Sequence, residues 1–406
     1  MIIRSNSIIL ACDASPAFVP SGNFSPFKKD LYPLSFIQNL SFDVANVRSR
    51  MKQISSADFA FDAVQFSPII SVNFDFISST AFLNENFLGL YFKPSSNFAS
   101  IFQKINDFSH NLYFLLSDDY PNDLIYKIQK NGNLNGLTSW SFGNCFIKNY
   151  SLNLSAGSLP TTSITIDAMN MQMNTVANNI INCPAINLGS GNQSGIANVQ
   201  INNTNFISNL NNLNTSATGQ PILPTFDAKF FTLSNDNIQY PSIEISPYNK
   251  SVVTSLNLSI DIERENSYGF GSDYIYDNRI KFPLLGTLDI EATAFGLNTG
   301  DGSLSGAMSK ESGYRVEFST SDSVNTKTTV ISGARLQNNS YSIDYSSNLT
   351  SKFSFSFQCN RNQGIMHKWT QNINPSSGQL FTEDIFGLLS SDGNGFKSSD
   401  GYYFQY

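Results

Sequence analysis

The sequence predicts a mainly β protein, and three observations support this prediction. Aromatic residues make up 13% of the chain, led by 34 Phe and 17 Tyr, and aromatic side chains favour the half-buried surface of a pleated sheet. Asn and Ser fill most polar positions, which favours turns over helix interiors. Segments such as residues 255–264 alternate between apolar and polar residues, which is the pattern of a strand with one buried face.

Two stretches, residues 37–170 and 253–360, contain the same series of predicted strands. In each stretch an alternating strand that ends in Arg comes first, a Pro-marked apolar strand follows, and a closing hairpin and a last strand come at the end. The matched segments are 40–48 with 255–264, 63–70 with 279–285, 71–77 with 287–295, 113–118 with 314–320, 143–154 with 333–345, and 162–166 with 351–357. The shared order indicates a tandem duplication. Independent alternation in two unrelated antiparallel domains is the alternative.

The chain of 406 residues has room for about two to three domains. We predict an N-terminal arm at 1–35, a first domain at 36–173, an Asn-rich insertion at 174–250, a second domain at 251–362 and a C-terminal arm at 363–406. The first residues are predicted to hold a short strand, because the polar residues 4–7 interrupt the apolar run that a signal peptide needs. Each arm has two possible docking sites, its own domain or a neighbouring molecule.

Residues 95–107 are predicted to form a short amphipathic helix that covers a sheet. Their apolar residues lie at helical spacing behind a Ser/Asn cap: Phe98, Ile101, Phe102 and Ile105. The corresponding stretch of the second domain, residues 299–306, is rich in glycine. Any helix there is therefore predicted to be shorter and weaker.

The charge of the chain argues against a nucleic-acid-binding surface. The formal net charge is −7 and the densest basic segment, residues 48–52, is small, whereas phosphate contacts require clustered Lys and Arg. An acidic body is nevertheless compatible with a surface past which DNA slides without sticking.

The sequence contains no recognisable catalytic motif. Neither of its two histidines, His110 and His367, lies in a nucleophile motif. The turns at Asp301 and Asp392 lack the remaining ligands of a calcium loop, and Glu263 and Glu265 are predicted to lie at a solvated strand end. We therefore predict that the protein is not an enzyme and has no catalytic, cofactor-binding or metal-binding residues.

The four cysteines show no metal-ligand spacing, and we predict that they are free, buried thiols: Cys12, Cys145, Cys183 and Cys359. No segment approaches the ~20 apolar residues of a membrane helix. The sequence therefore predicts no membrane insertion.

The order of strands in the second domain resembles that of the tail tube proteins of long-tailed bacteriophages. The resemblance rests on the alternating strand 256–264, the Pro-marked strand 279–285, the segment 286–292 and the closing hairpin at 339–345. It covers roughly half of the chain, and the first domain follows the pattern less closely between residues 82 and 107.

This resemblance implies two tandem β-sandwich or barrel-like tube domains, each flanked by a short helix, whose sheets join side by side into a ring. Rings of this family stack into a tube through which DNA passes. The implied partners are the chain itself, as a trimer or hexamer, and other tail proteins such as a sheath, tape measure, terminator and baseplate. DNA would be only a passing, non-specific cargo. The implied location is the tail of the virion, after assembly in the host cytoplasm.

Two alternatives remain open at this point. The chain could be another tail component of the same fold, such as a distal adaptor, hub or terminator. It could also be a β-sandwich that binds carbohydrate or a receptor, although such a binding platform uses exposed aromatic residues and the chain has two tryptophans, Trp140 and Trp369.

Overall fold

The computed structural model describes the following residues: 8–13, 31–34, 36–45, 48–52, 59–64, 69–78, 84, 85, 88, 90, 99, 100, 110–117, 124–184, 197–200, 206, 243, 244, 252–268, 275–293, 298, 299, 314–321, 325–342, 350–360 and 364–371. This part of the chain is mainly β, and its strands pair antiparallel. The predicted fold class is therefore confirmed at that level.

The N-terminal part of the chain contains twelve of the strands and a helix, α1 (Leu124–Asn131). The strands are β1 (Ile8–Asp13), β2 (Leu31–Pro33), β3 (Ile37–Ala45), β4 (Arg48–Lys52), β5 (Phe59–Val64), β6 (Ile69–Ile77), β7 (Ala99–Ser100), β8 (His110–Leu116), β9 (Thr138–Ser155), β10 (Thr161–Thr175), β11 (Ile180–Cys183) and β12 (Ala197–Gln200).

The C-terminal part contains the remaining strands, and none of its described residues between 252 and 371 is helical. The strands are β13 (Ile243–Glu244), β14 (Val252–Asp261), β15 (Arg264–Tyr268), β16 (Ile275–Ile280), β17 (Leu284–Thr293), β18 (Asn298–Thr299), β19 (Tyr314–Ser321), β20 (Asn325–Ser342), β21 (Thr350–Cys359) and β22 (Ile365–Gln371).

Two units of the chain have the same strand arrangement. In the first unit (residues 37–175) the strands pair in the order β3-β6-β10-β9-β8, and in the second unit (residues 252–371) they pair in the order β14-β17-β21-β20-β19. Each unit carries a separate hairpin between its first two sheet strands, β4–β5 in the first and β15–β16 in the second. Both units contribute to one 14-stranded sheet.

The irregularities of the two units also occur at corresponding positions. The first strand of each unit has a bulge, at Gln38 in β3 and at Thr254 in β14. The long strands β9 and β20, of 18 residues each, have a bulge at Lys148 and at Gln337. Because a bulge fixes the register of a strand pair, these positions align the two units residue by residue.

A left-handed residue marks the same point of each long strand. Asn144 has φ 51° and Gly333 has φ 73°, a region that Gly adopts freely and Asn tolerates. In both units the shorter neighbouring strand, β8 or β19, stops pairing with the long strand next to this residue, at Cys145 in β9 and at Ala334 in β20. The local backbone therefore directs the remainder of the long strand away from that neighbour.

The register corrects two details of the sequence alignment. His110, not Tyr113, corresponds to Tyr314, since each begins its strand at the same pairing position. Asn144, not Gly143, corresponds to Gly333.

The predicted helix at 95–107 is wrong where the structure describes it. Ala99 and Ser100 form strand β7, which pairs with Met366 and His367 of β22. The other residues of that prediction lie outside the described residues. The first unit also contains helix α1, which the sequence did not predict.

Parts of the segments predicted as terminal arms are strands of the sheet. Strand β1 pairs with β8, and β2 pairs with β1, so that residues 8–13 and 31–33 extend the first unit. This confirms the short strand predicted near the N terminus. Strand β22 pairs with the first part of β20, which makes it the counterpart of the second part of β10.

One hydrophobic core runs through both units. It contains Phe74 and Ile164 of the first unit and Leu258 and Leu288 of the second. A second cluster lies under α1, where Leu124 and Ile128 pack with residues that include Leu31, Tyr113 and Phe206.

At one pair of corresponding core positions, the large and the small side chain lie on opposite strands in the two units. In the first unit Ile70 lies opposite Ala168. At the corresponding place in the second unit Gly286 lies opposite Phe357, and a Cβ atom added to Gly286 would collide with the Phe357 ring. Each pair fills its part of the core with one large and one small side chain, as close packing requires.

This exchange predicts strong coupling between positions 286 and 357. Gly286→Ile should lower the free energy of unfolding by about 1–3 kcal/mol through overpacking, and Phe357→Ala by about 3–5 kcal/mol through a cavity. The double variant restores the Ile–Ala pair of the first unit, so its loss should be smaller than the sum by about 0.5–3 kcal/mol. Urea denaturation of the full chain measures all three values.

The matched control combines Gly286→Ile with Phe353→Ala, because Phe353 is equally buried on the same strand but lies opposite Ile290. We expect no compensation in that pair. Strict additivity in the Gly286–Phe357 pair would contradict the packing argument.

Candidate interaction interface

The two units meet at a joint between strands β9 and β14. The first part of β9 pairs with β8, and beyond Cys145 the same side of β9 is occupied by β14 instead. The ladder matches residues 149–155 of β9 with residues 255–261 of β14. Backbone hydrogen bonds continue past both ends of this ladder. Ile262 N–H donates to Lys148 O at 2.7 Å, and Ala156 N–H donates to Thr254 O at 2.7 Å.

The inward face of the joint is apolar and buried. Three pairs face each other across it: Leu256 with Leu154, Leu258 with Leu152, and Ile260 with Tyr150. All three β14 residues are at most 3% exposed. Burial of a side chain of this size contributes about 1.5–3 kcal/mol, so this face holds the two units together.

The outward face of the joint is linked by polar side chains. Asn149 Nδ2 donates to Asp261 Oδ1 at 2.6 Å, and Ser151 Oγ donates to Asn257 Oδ1 at 3.3 Å. Asn149 and Asp261 lie directly opposite each other, and Ser151 and Asn257 lie diagonally across the two strands. Cross-strand side-chain pairs of both kinds stabilise a sheet.

Arg264 anchors the hairpin of the second unit onto the first unit. Its Nε donates to the Ile147 carbonyl at 3.3 Å, and its Nη1 donates to Asn278 Oδ1 at 3.0 Å. The guanidinium carbon lies 4.9 Å from the centroid of the Phe146 ring, within the range of a cation–π contact. Arg is suited to this place because its planar group can donate in several directions while it stacks on an aromatic ring.

Burial lowers the pKa of Arg264 to about 10, and the nearby Asp167 carboxylate opposes this shift. The side chain therefore remains charged at neutral pH, and its contacts across the joint persist there.

Each unit also has a strand edge that corresponds to the joint but has no partner within the described residues. In the second unit, residues 338–342 of β20 pair with β21 on one side only. These residues correspond to residues 149–153 of β9. In the first unit, β3 pairs with β6 on one side only, and β3 corresponds to β14.

Among the residues with candidate chemistry, the described ones do not form a site. His110 is buried opposite Cys145, and Glu263 and Glu265 are exposed at a strand end as predicted. All four cysteines are buried thiols outside any disulfide, which confirms that prediction. Within the described ranges no group of three or more His, Cys, Asp or Glu could hold a metal ion. His367 has a described backbone, and Asp301 and Asp392 lie outside the described residues.

Within the described part of the chain, no helix has the length and apolar character needed to cross a bilayer.

The comparisons with known proteins include a weak structural likeness. No protein-family model matches the sequence, and no curated protein matches it either. Among solved structures, a chain of the cryo-EM structure of the anti-feeding prophage (AFP) baseplate, 6-fold symmetrised, is similar with 11% identity and a TM-score of 0.24. The match covers 43% of this chain and 97% of the other.

The contacts of Arg264 predict that its removal weakens the joint. Arg264→Ala removes two hydrogen bonds and a cation–π contact, and we expect the free energy of unfolding to fall by about 1–3 kcal/mol. The matched control is Lys281→Ala, since Lys281 forms an exposed ion pair with Glu263 at 3.7 Å and should change stability by less than about 1 kcal/mol. Equal losses in the two variants would contradict the anchoring role.

Proposed function

We propose that this protein is a structural component of a phage-type tail, and that it forms the tail tube by joining edge to edge with copies of itself. The observation that carries this proposal is the β9–β14 joint, through which one sheet continues from the first unit into the second.

The joint gives the chain two complementary ends. The described edge of β20 corresponds to the β9 side of the joint, and the described edge of β3 corresponds to the β14 side. An unpaired strand edge recruits another strand because its backbone groups need hydrogen-bond partners. A head-to-tail contact between such edges closes into a ring or continues as a filament, according to the rotation that it imposes.

The resemblance of the strand order to tail tube proteins favours the closed ring. Because each chain carries two similar units, three chains would supply six of them, and a ring of six chains is the other arrangement. The net charge of −7 supports a conduit that does not retain DNA, since few cations are available to bind phosphates.

Negative-stain electron microscopy of the purified full chain tests this proposal. Stacked rings or tubes are the expected result. A single ring that never polymerises would instead favour an adaptor, hub or terminator on the same fold. A protein that remains monomeric at high concentration would contradict self-assembly.

An edge variant tests whether strand β3 takes part in assembly. Val44→Lys places a charge on the inward-facing row of this edge, and we expect it to abolish assembly because a charge on an edge strand opposes strand addition. The isolated chain should keep its stability to within about 0.5 kcal/mol, as for other surface changes. Size-exclusion chromatography with light scattering measures the assembly.

The matched control is Leu159→Lys. Leu159 is 44% exposed and Val44 is 41% exposed, but Leu159 lies in the turn between β9 and β10. Normal assembly of Leu159→Lys beside failed assembly of Val44→Lys is the expected pattern, and the reverse pattern would exclude β3 as an assembly edge.

A further inference from the structure

We propose that the β9–β14 joint within the chain is repeated between chains, with β20 of one copy paired antiparallel to β3 of the next in one defined register. This inference rests on the proposed self-assembly and specifies its contact. The correspondence of the two units gives the pairs directly: Ser41 with Ser342, Phe42 with Tyr341, Asp43 with Ser340, Val44 with Asn339, and Ala45 with Asn338.

The inward-facing side chains of β3 are exposed in the way expected for those of β14 if β9 did not cover them. Ile260 of β14 is fully buried at 0% exposed, whereas Val44 at the corresponding position of β3 is 41% exposed. Leu40 and Phe42 are half-buried, whereas their counterparts Leu256 and Leu258 are 3% and 1% exposed. Addition of a strand along β3 would bury this row as β9 buries the row of β14.

The alternation of β3 excludes a shift by one residue. Asn39, Ser41 and Asp43 are exposed, whereas Leu40 and Phe42 pack against the core. A shift of one residue turns every side chain to the opposite face. The bulges provide a further constraint, because the joint lies between Thr254 and Lys148, and the counterparts of these residues, Gln38 and Gln337, are also bulges.

The outward side chains of the two edges match chemically. Within the chain, Asn149 Nδ2 donates to Asp261 and also lies 3.5 Å from Ser259 Oγ. The corresponding positions between chains are Asn338 on β20, and Ala45 and Asp43 on β3. The amide and the carboxylate are therefore both retained, with the carboxylate at the neighbouring outward position. Asn338 and Asp43 are both exposed.

The hydrogen-bond pattern of the joint identifies positions for a covalent test. Ile262 with Lys148 and Thr254 with Ala156 are hydrogen-bonded pairs, so the outward pair Asn257–Asn153 between them is a non-hydrogen-bonded pair. Cα atoms in such pairs lie about 4.5 Å apart, which falls within the range that a disulfide spans. Ser41 and Ser342 are the corresponding pair between chains, and both are exposed.

The experiment mixes equal amounts of the full-length single variants Ser41→Cys and Ser342→Cys with oxidised glutathione, which accepts the two electrons that the two thiols lose. We expect a covalent dimer on a non-reducing gel that dithiothreitol reverses. An intrachain bond between these two positions is excluded, because each variant carries only one of the two new cysteines. The four native thiols are buried, and the unsubstituted chain controls for them.

Two further variants define the register and the method. Ser41→Cys mixed with Ser340→Cys is displaced by two residues on the same face, where neighbours lie about 7–8 Å apart, and we expect at least tenfold less dimer. Asn153→Cys combined with Asn257→Cys in one chain should form an intrachain bond and serves as the positive control.

The outcomes separate this inference from the function on which it rests. Rings or tubes by microscopy together with the Ser41–Ser342 dimer support both. Rings or tubes without that dimer, or with more dimer from the displaced pair, overturn the register and leave the tail role standing. Absence of any assembly overturns both.

Discussion

The structure depends on the unequal length of neighbouring strands. Strand β9 has 18 residues and its neighbour β8 has 7, so one side of β9 would present unpaired backbone groups beyond Cys145. Buried backbone groups without partners are costly, and strand β14 of the second unit satisfies them. The same difference occurs in the second unit, where β20 has 18 residues and β19 has 8. The contact between units therefore follows from the architecture of each one.

Different side chains provide burial and register at this contact. The apolar row of Leu256, Leu258 and Ile260 supplies burial, which is strong but does not distinguish one residue from the next. The bulges and the polar outward row supply register, because each fits only one alignment. Arg264 adds a contact outside the ladder, between its hairpin and the first unit. Adhesion and alignment are thus provided by different residues.

The sequence predicted the features that depend on local pattern. The alternating strands and the match of residues 40–48 with 255–264 agree with the register of the structure, because a one-sided sheet leaves a period of two in the sequence. The helix prediction at 95–107 is wrong at Ala99 and Ser100, because the distant β22 holds these two residues as a strand.

Two features were missed for different reasons. Helix α1 does carry a local signal, since Leu124 and Ile128 lie one turn apart and the left-handed Gly132 donates to the Ile128 carbonyl at its end. The pairing of β9 with β14 carries no comparable signal. Its strands are far apart in the sequence, and nothing in either strand alone identifies the other. The same limit applies to Arg264, whose role becomes visible only when Phe146 is placed beneath it.

The presence of β9 and β14 on one polypeptide has a thermodynamic consequence. Their association is unimolecular, so the chain acts as a tether that maintains a high effective concentration of each strand for the other. Dilution therefore cannot separate this pair, whereas any pair formed by two molecules must obey mass action. An assembly of such chains would therefore always dissociate into single chains of two units each. The two units of a chain are linked covalently, whereas contacts between chains are reversible.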